Sequence, residues 1–218
     1  MAEPTYAQRL ERLRAVQEVK NLMARYAYYH VANQHGATLE LCALDTPGVR
    51  HELPFGIYEG KAGLERLYLG LLAPADREPE GKLHLHTMTT PVIEVAGDLQ
   101  TAKGIWISPG VATDRRGGEK FQAAWRCVKY GADFVQEEGR WKIWHLRMYG
   151  IFATPFDKSW VDSAVKPGET RPAPPQLPEE FQPDRPGHEF WQYRTDAIIP
   201  NEPVPPRPYE TFDEAQAY

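Results

Sequence analysis

Three groups of residues have the types and spacing to move protons. The first is His84-x-His86, within Leu83-His84-Leu85-His86-Thr87-Met88-Thr89-Thr90. Residues two apart in a strand share a face, so both imidazoles point the same way. An imidazole titrates near neutral pH, so His86 is a candidate general base. The second group is His145-x-Arg147-x-Tyr149. On strand geometry Trp141, Ile143, His145, Arg147 and Tyr149 share one face, where polar groups among apolar ones suit a pocket wall. Lys142, Trp144, Leu146 and Met148 share the other, which is expected to lie under the tail or a second subunit. The third group is the ring-rich run Tyr26, Tyr28, Tyr29 and His30. Tyr26, Tyr29 and His30 fall on an apolar helical stripe and Tyr28 does not. A buried phenol there could donate to a developing oxyanion or serve only as core.

His86 is therefore assigned as the base, with His145, Tyr29 and Arg147 as donors to a leaving oxygen or developing anion. An arginine holds charge without titrating. Tyr26, His30, His51, Trp106 and Tyr149 are expected to line the substrate. Trp125 shares with Trp106 the choice between packing and pocket wall. A metal is not expected. His84-x-His86 would need a glutamate four or five residues on to resemble a cupin-type set, and Thr90 and Pro91 stand there. No glycine-rich phosphate loop or Walker pattern appears, and no G-x-S-x-G elbow, so no cofactor is expected. Cys42 and Cys127 form no C-x-x-C pair and read as inert thiols.

The elements that must position these groups are legible in the hydrophobic period. Tyr6 to about Ala32 reads as one amphipathic helix, with Leu10, Leu13, Val16, Val19, Leu22, Met23, Tyr26 and His30 on its stripe. A short helix covers about Ala37–Leu44, and Pro47-Gly48 breaks the chain. Val49–Phe55 alternates as a strand, Gly60–Leu72 reads as a third helix, and Ala73–Gly81 is a polar loop. From Lys82 the period becomes two. Lys82–Val95, Gln100–Ala112, Glu119–Gln136 and Arg140–Ala153 are expected strands. Short turns at Ala96-Gly97-Asp98, Asp114–Gly118 and Glu137-Glu138-Gly139 join them as antiparallel hairpins. Helices first and a strand meander after indicate an α+β domain.

Of the 20 prolines in the 218 residues, twelve fall from Pro167 onward. Long helices and central strands are excluded there. Residues 1–160 are therefore read as the domain and 161–218 as an extended proline-rich arm. The arm keeps Phe181, Phe190, Trp191, Tyr193, Ile198, Ile199, Tyr209 and Phe212, unlike a disordered tail. It is expected to dock on its own domain or on a partner subunit. The formal charge of −5, from 25 basic and 30 acidic residues, excludes a strongly basic nucleic-acid binder. No apolar run approaches the roughly 18 residues of a membrane span. Met1-Ala2-Glu3-Pro4 has no basic leader and no apolar run after it, so a secretory signal is not expected. With its cysteine usage, the chain is expected to be cytoplasmic.

Several stretches together resemble the nuclear transport factor 2-like superfamily and its SnoaL-like branch. They are Val19–Tyr26 in the first helix, His86 seven residues before Ile93-Glu94-Val95-Ala96-Gly97-Asp98, and Asp133–His145. The run through Tyr149, Phe152, Thr154-Pro155-Phe156 and Ser159-Trp160 is similar to a subgroup's ending. The likeness spans roughly residues 8–160. It implies a cone of three helices on a curved, mostly antiparallel sheet with a pocket inside. It also implies a choice among dehydratases, cyclases, isomerases, epoxide hydrolases, formaldehyde-releasing lyases on lignin-derived diols, and non-enzymatic binders. Many catalytic members carry an aspartate six residues after the helix arginine; here Val31 follows Arg25 at that distance. The expectation is a cofactor-free acid–base lyase on a hydrophobic aromatic small molecule, acting as a homodimer or higher oligomer. The reaction would be dehydration or C–C cleavage. The alternatives are a binding or assembly module, or a cyclase or isomerase of the same fold.

Overall fold

Thr5 opens the first helix. Its hydroxyl accepts from the Gln8 amide while the Gln8 side chain reaches back to the Thr5 amide, a reciprocal cap. Helix α1 then runs Tyr6–Val31 and buries Ala15, Val19, Leu22, Met23 and Tyr26. Leu10 and Leu13, on the same expected stripe, stay exposed. The computed structural model describes residues 5–73, 80–116, 120–169 and 176–218. Most of the expected 73–81 loop, the tip of the 114–118 turn and the 171–175 proline run lie outside them.

Helix α2 is shorter than expected, His35–Leu39, and two strands follow, β1 (Arg50–Leu53) and β2 (Gly56–Glu59). The third helix begins as α3 (Gly60–Glu65) and widens into a π-helical stretch over Arg66–Leu72. The expected long strand from Lys82 is two strands, β3 (Leu83–His86) and β4 (Thr89–Val95). The gap falls at Thr87 and Met88; within β4, Thr90 takes a positive φ of 48° just before Pro91, where the pairing with β5 shifts register between Thr89 and Val92. Strands β5 (Thr101–Arg116), β6 (Lys120–Glu137) and β7 (Arg140–Pro155) form long hairpins. Glu138 and Gly139, with φ of 50° and 73°, make the tight turn between the last two.

The seven strands form one mixed, curved sheet in the order β2-β1-β7-β6-β5-β3, with β4 also on β5. Among the described strands β1 and β7 pair in parallel, and the other named neighbours run antiparallel. The inner face carries Ala102, Trp106, Tyr130, Ala132, Phe134, Ile143 and Leu146, packed with α1, Leu64, Leu67 and Tyr68.

One irregularity decides which way β7 faces. Phe134 pairs with Ile143, but Asp133 pairs with His145, so Trp144 is an extra residue in the ladder. A bulge of this kind shifts the alternation by one. Trp141 and Ile143 therefore lie on the inner face together with Leu146 and Met148. His145, Arg147 and Tyr149 lie on the outer face. The expectation that Trp141, Ile143, His145, Arg147 and Tyr149 share a face is corrected accordingly.

The arm lies along this same chain. Phe181 O accepts from the Tyr58 hydroxyl at 2.8 Å, and Asp184 meets Arg66 at 2.6 Å. The Tyr193 amide donates to Ile151 O at 2.7 Å and the Gly97 amide to Tyr209 O at 2.9 Å. Trp144 and His145 both contact Phe212 of the arm. The arm meets both faces of β7: Phe212 lies against the His145 face, and Phe190 and Trp191 lie against Gly150 on the Leu146 face, where cover by the tail was expected. Among the described residues no helix is long and apolar enough to cross a membrane.

Candidate functional site

The inner face gathers imidazoles at the end of α1. His86 sits opposite Gly110 and His84 opposite Ala112, so both point inward. Ring centroids place His30 at 5.2 Å from His86, 5.9 Å from His84 and 5.5 Å from His35. Gly110 pairs on its other side with Arg126 of β6. Gly110 has to lack a side chain, because a Cβ there would strike the Leu85 carbonyl and crowd His86 Nδ1.

Burial pushes His30 well below the usual imidazole range, helped by His86, His35, His84 and Arg126. Burial, Arg126 and His84 bring His86 down to about 4. Both are neutral at neutral pH, the form that can accept a proton. His86 is 7% exposed, and its Nδ1 has no hydrogen-bond partner; neither has the buried Ser108 Oγ. Ser108 shares the inner face of β5 with Gly110, two residues away. Buried polar atoms without partners are uncommon, and each calls for an explanation such as a bound group or a catalytic role.

Deeper in the cone, Tyr26 stacks on His30 and meets Tyr130 edge-on at 6.2 Å. Burial raises the pKa of Tyr26, Tyr68 and Tyr130, so all three stay protonated. The Tyr68 hydroxyl adjoins Tyr26 and lies 2.8 Å from His51 Nδ1. His51 Nε2 faces Cys42 Sγ at 3.8 Å. Burial, with His145 nearby, lowers His51 to about 3. Trp106 is buried edge-on against Phe134. Trp125 is instead half-exposed and stacks on Phe156. Burial raises both thiols, Cys42 the more deeply buried of the two.

The outer face carries a different assembly. Asp133 is fully buried and accepts from Lys103 Nζ at 2.5 Å, His145 Nδ1 at 2.9 Å and the Tyr218 amide at 2.9 Å. Arg50 Nη1 lies 2.9 Å from His145 Nε2. Lys103 also stands over the Phe212 and Tyr218 rings. Arg147 pairs with Glu52 at 3.3 Å and stacks on Tyr149 at 4.4 Å. Burial pushes the Tyr149 phenol up to about 12. Lys103, Arg147 and Tyr149 wall a cavity of about 490 Å³ whose other side is the arm, from Glu202 to Tyr209 and at Tyr218.

The structure thus brings together His86, His30 and Tyr26 on the inner face, with His51 and Trp106 buried in the same layer. It does not bring His145, Arg147 or Tyr149 to them, since the sheet lies between. Tyr29 is only partly buried on α1. Sequence reasoning missed His35, Ser108, Arg126, Tyr68 and Tyr130 inside, and Lys103 and Asp133 outside. The alternation Arg126, Val128, Tyr130, Ala132, Phe134 could have placed two of them on one face. Among the described residues no set of three or more His, Cys, Asp or Glu side chains is placed to hold a metal.

Helices set against one face of a curved mixed sheet, with titratable groups between the layers, define the cone of the nuclear transport factor 2-like class. Residues 11–147 match the family model of the SnoaL-like domain, and the chain belongs to that family. Similar solved structures include a candidate scytalone dehydratase from Novosphingobium aromaticivorans DSM 12444. It is 15% identical, with 71% of this chain and 94% of that one covered and a TM-score of 0.52. A candidate aromatic ring hydroxylase from the same organism is 17% identical over 66% and 94%, with a TM-score of 0.52. A hexachlorocyclohexane dehydrochlorinase, LinA type 2, is 19% identical over 71% and 95%, with a TM-score of 0.52. At these identities the likeness is one of fold. No curated protein matches the chain.

Proposed function

We propose that this protein is a cofactor-independent acid–base lyase acting on a hydrophobic aromatic small molecule at the inner face of the cone. The observation that carries this reading is His86: buried, neutral at neutral pH, and with Nδ1 free of any partner. A positioned base of this kind typically contributes about 10²–10⁴-fold. His86 takes a proton from the substrate as a neighbouring group departs. The protonated phenols of Tyr26 and Tyr130 are the donors for the charge that develops. Trp106 and the stacked Tyr26–His30 pair supply flat apolar surface for a ring.

The dehydratase and dehydrochlorinase names of the similar structures fit the same elementary step, loss of a proton and a leaving group from adjacent atoms. Within this class the narrower reading is dehydration, or C–C cleavage with formaldehyde release from a lignin-derived diaryl diol. The resemblance of the chain to such lyases is its support. His145, Arg147 and Tyr149 drop out of the proposed chemistry, because they lie across the sheet from His86.

The test is incubation with diaryl 1,3-diols and with hydroxylated aromatic ketones, read by mass spectrometry for lost water or formaldehyde. His86→Ala should lower turnover at least ~10²-fold with substrate binding largely kept. Recovery of every compound unchanged would favour the rival reading, a binding module. Val31, where many catalytic relatives carry aspartate, is the observation on that side.

A further inference from the structure

We propose that the cavity between the outer face of the sheet and the arm is a second binding site, built for a flat aromatic carboxylate. It lies across the sheet from His86, so it stands or falls independently of the lyase reading. Its volume, about 490 Å³, is within the range of small-molecule sites. Strand pairing sets its floor. Lys103 sits opposite Asp133, and Arg147 sits opposite Gly131, two residues away along β6. Gly131 puts no side chain into the space between the two cations. A Cβ there would come within 2.8 Å of the Tyr218 ring and 3.2 Å of the Tyr149 ring. The two rings therefore close over bare backbone.

The charges suit a carboxylate. The side chains of Lys103 and Arg147 are only 10% and 18% exposed, and both line the cavity. Their counter-charges, Asp133 and Glu52, stand behind them, outside the cavity wall. These pairs keep the cations in place without a ligand and leave donors for one. Asp133 accepts one of the three ammonium hydrogens of Lys103. Glu52 meets Arg147 through Nε, so the terminal amino pair can serve the cavity that Arg147 lines. Arg207 adds a third cation from the arm side. Glu202 and Asp213 also line the cavity, and neighbours engage both. Asp213 accepts from the Ala215 amide and the Gln216 side chain. Burial lowers the pKa of the Lys129 ammonium, and Glu202 beside it pulls the other way. The remaining wall is flat and apolar: Tyr149, Tyr209, Tyr218 and the prolines between Pro203 and Pro208. Arg147 already stacks on Tyr149 at 4.4 Å, so an acid held by Arg147 lays its ring among these surfaces. A neutral ring would leave the donors unused, and an aliphatic acid would leave the rings bare.

The experiment compares 2-naphthoate with 2-naphthamide, nearly equal in shape and different in charge. Calorimetry on the full chain at low salt should show the acid binding at least ~10-fold tighter, a preference that Arg147→Gln removes and Arg147→Lys partly restores. In the naphthoate complex the amide resonances of Gly131, Tyr149 and Tyr218 should shift, and the His86 Cε1–H resonance should stay where it is. Equal binding, tighter binding of the amide, or no binding of either overturns the proposal. So does a preference that survives Arg147→Gln. Shifts confined to His86 and its inner-face neighbours would place the acid in the other site and also overturn it. If Arg147→Gln loosens the arm, the wild-type pair and the resonances still decide. Loss of all turnover in the lyase assays would leave this result untouched.

Discussion

Arg50 Nη1 stands 2.9 Å from Nε2 of His145, and a guanidinium only donates. His145 therefore accepts at Nε2 and carries its hydrogen on Nδ1, which donates to Asp133 at 2.9 Å. Both ring nitrogens are engaged, and the ring stacks on Trp144 with Phe212 of the arm against both. The imidazole that looks like an acid in sequence is a tie between the sheet and the arm.

Breaking that tie at its centre should be costly. Asp133→Ala leaves the buried Lys103 ammonium without its carboxylate. A loss of about 3–5 kcal/mol in urea denaturation is expected. Replacing both partners with apolar residues, Lys103→Met with Asp133→Leu, should recover much of it. A double variant no better than the single one would show that the pair itself is not the source of the loss.

The arm should matter to stability rather than to chemistry. Gly150 faces Phe190 and the Trp191 carbonyl so closely that Gly150→Ala has to displace backbone. Limited proteolysis of that variant should cut between residues 185 and 218 much faster than in wild type. Truncation after Trp160 should lower both stability and solubility, because Tyr149, Lys103 and the Asp133 cluster lose their cover. A truncated protein as stable and soluble as the full chain would contradict this.

Stability should fall as the solution is acidified. His86 and His51 have folded-state pKa values of about 4 and about 3, below the ordinary 6.5. Above pH 6.5 both are neutral in either state, and the stability is fully present. Between 6.5 and about 4 the unfolded chain binds protons that the folded chain refuses, so a few kcal/mol are lost. Urea midpoints measured from pH 7 down to 4.5 check this, and His86→Asn should flatten part of the slope. A stability that rises on acidification would contradict the assigned burial.

Activity should separate the two faces of the sheet. The acid limb of kcat/KM reports the free enzyme and should fall near 4, the value of His86, rather than near 6.5. His145→Gln should keep turnover within a few-fold once corrected for folded protein, whereas His86→Ala loses it. The opposite ranking would move the active site to the outer face, beside the cavity under the arm.

Much of the architecture can be read from local periodicity. The stripe Val19, Leu22, Met23, Tyr26 makes α1 one long helix, and the period of two with Gly139 at a turn makes the last strands a hairpin. That His84 and His86 point the same way follows from the same period. The parallel pairing of β1 with β7 is less legible, because Arg50 and His145 lie far apart along the chain.

Periodicity relates neighbours to one another and leaves open which face is covered by what. The sequence by itself determined the helices, most of the strands, the shared orientation of the two strand histidines, and an arm unable to form regular structure. Only the tertiary structure decided that His86 belongs with His30, His35 and Arg126, and that His145 belongs with Asp133 and Arg50. Two physical causes lie behind that difference. A single extra residue at Trp144 inverts the side chains from His145 to Gly150, until a second register shift at Ile151 restores the alternation, and no composition signals a bulge. The second is that a buried ion pair forms only where strands distant in sequence, here β1, β5, β6 and β7, set their charges side by side.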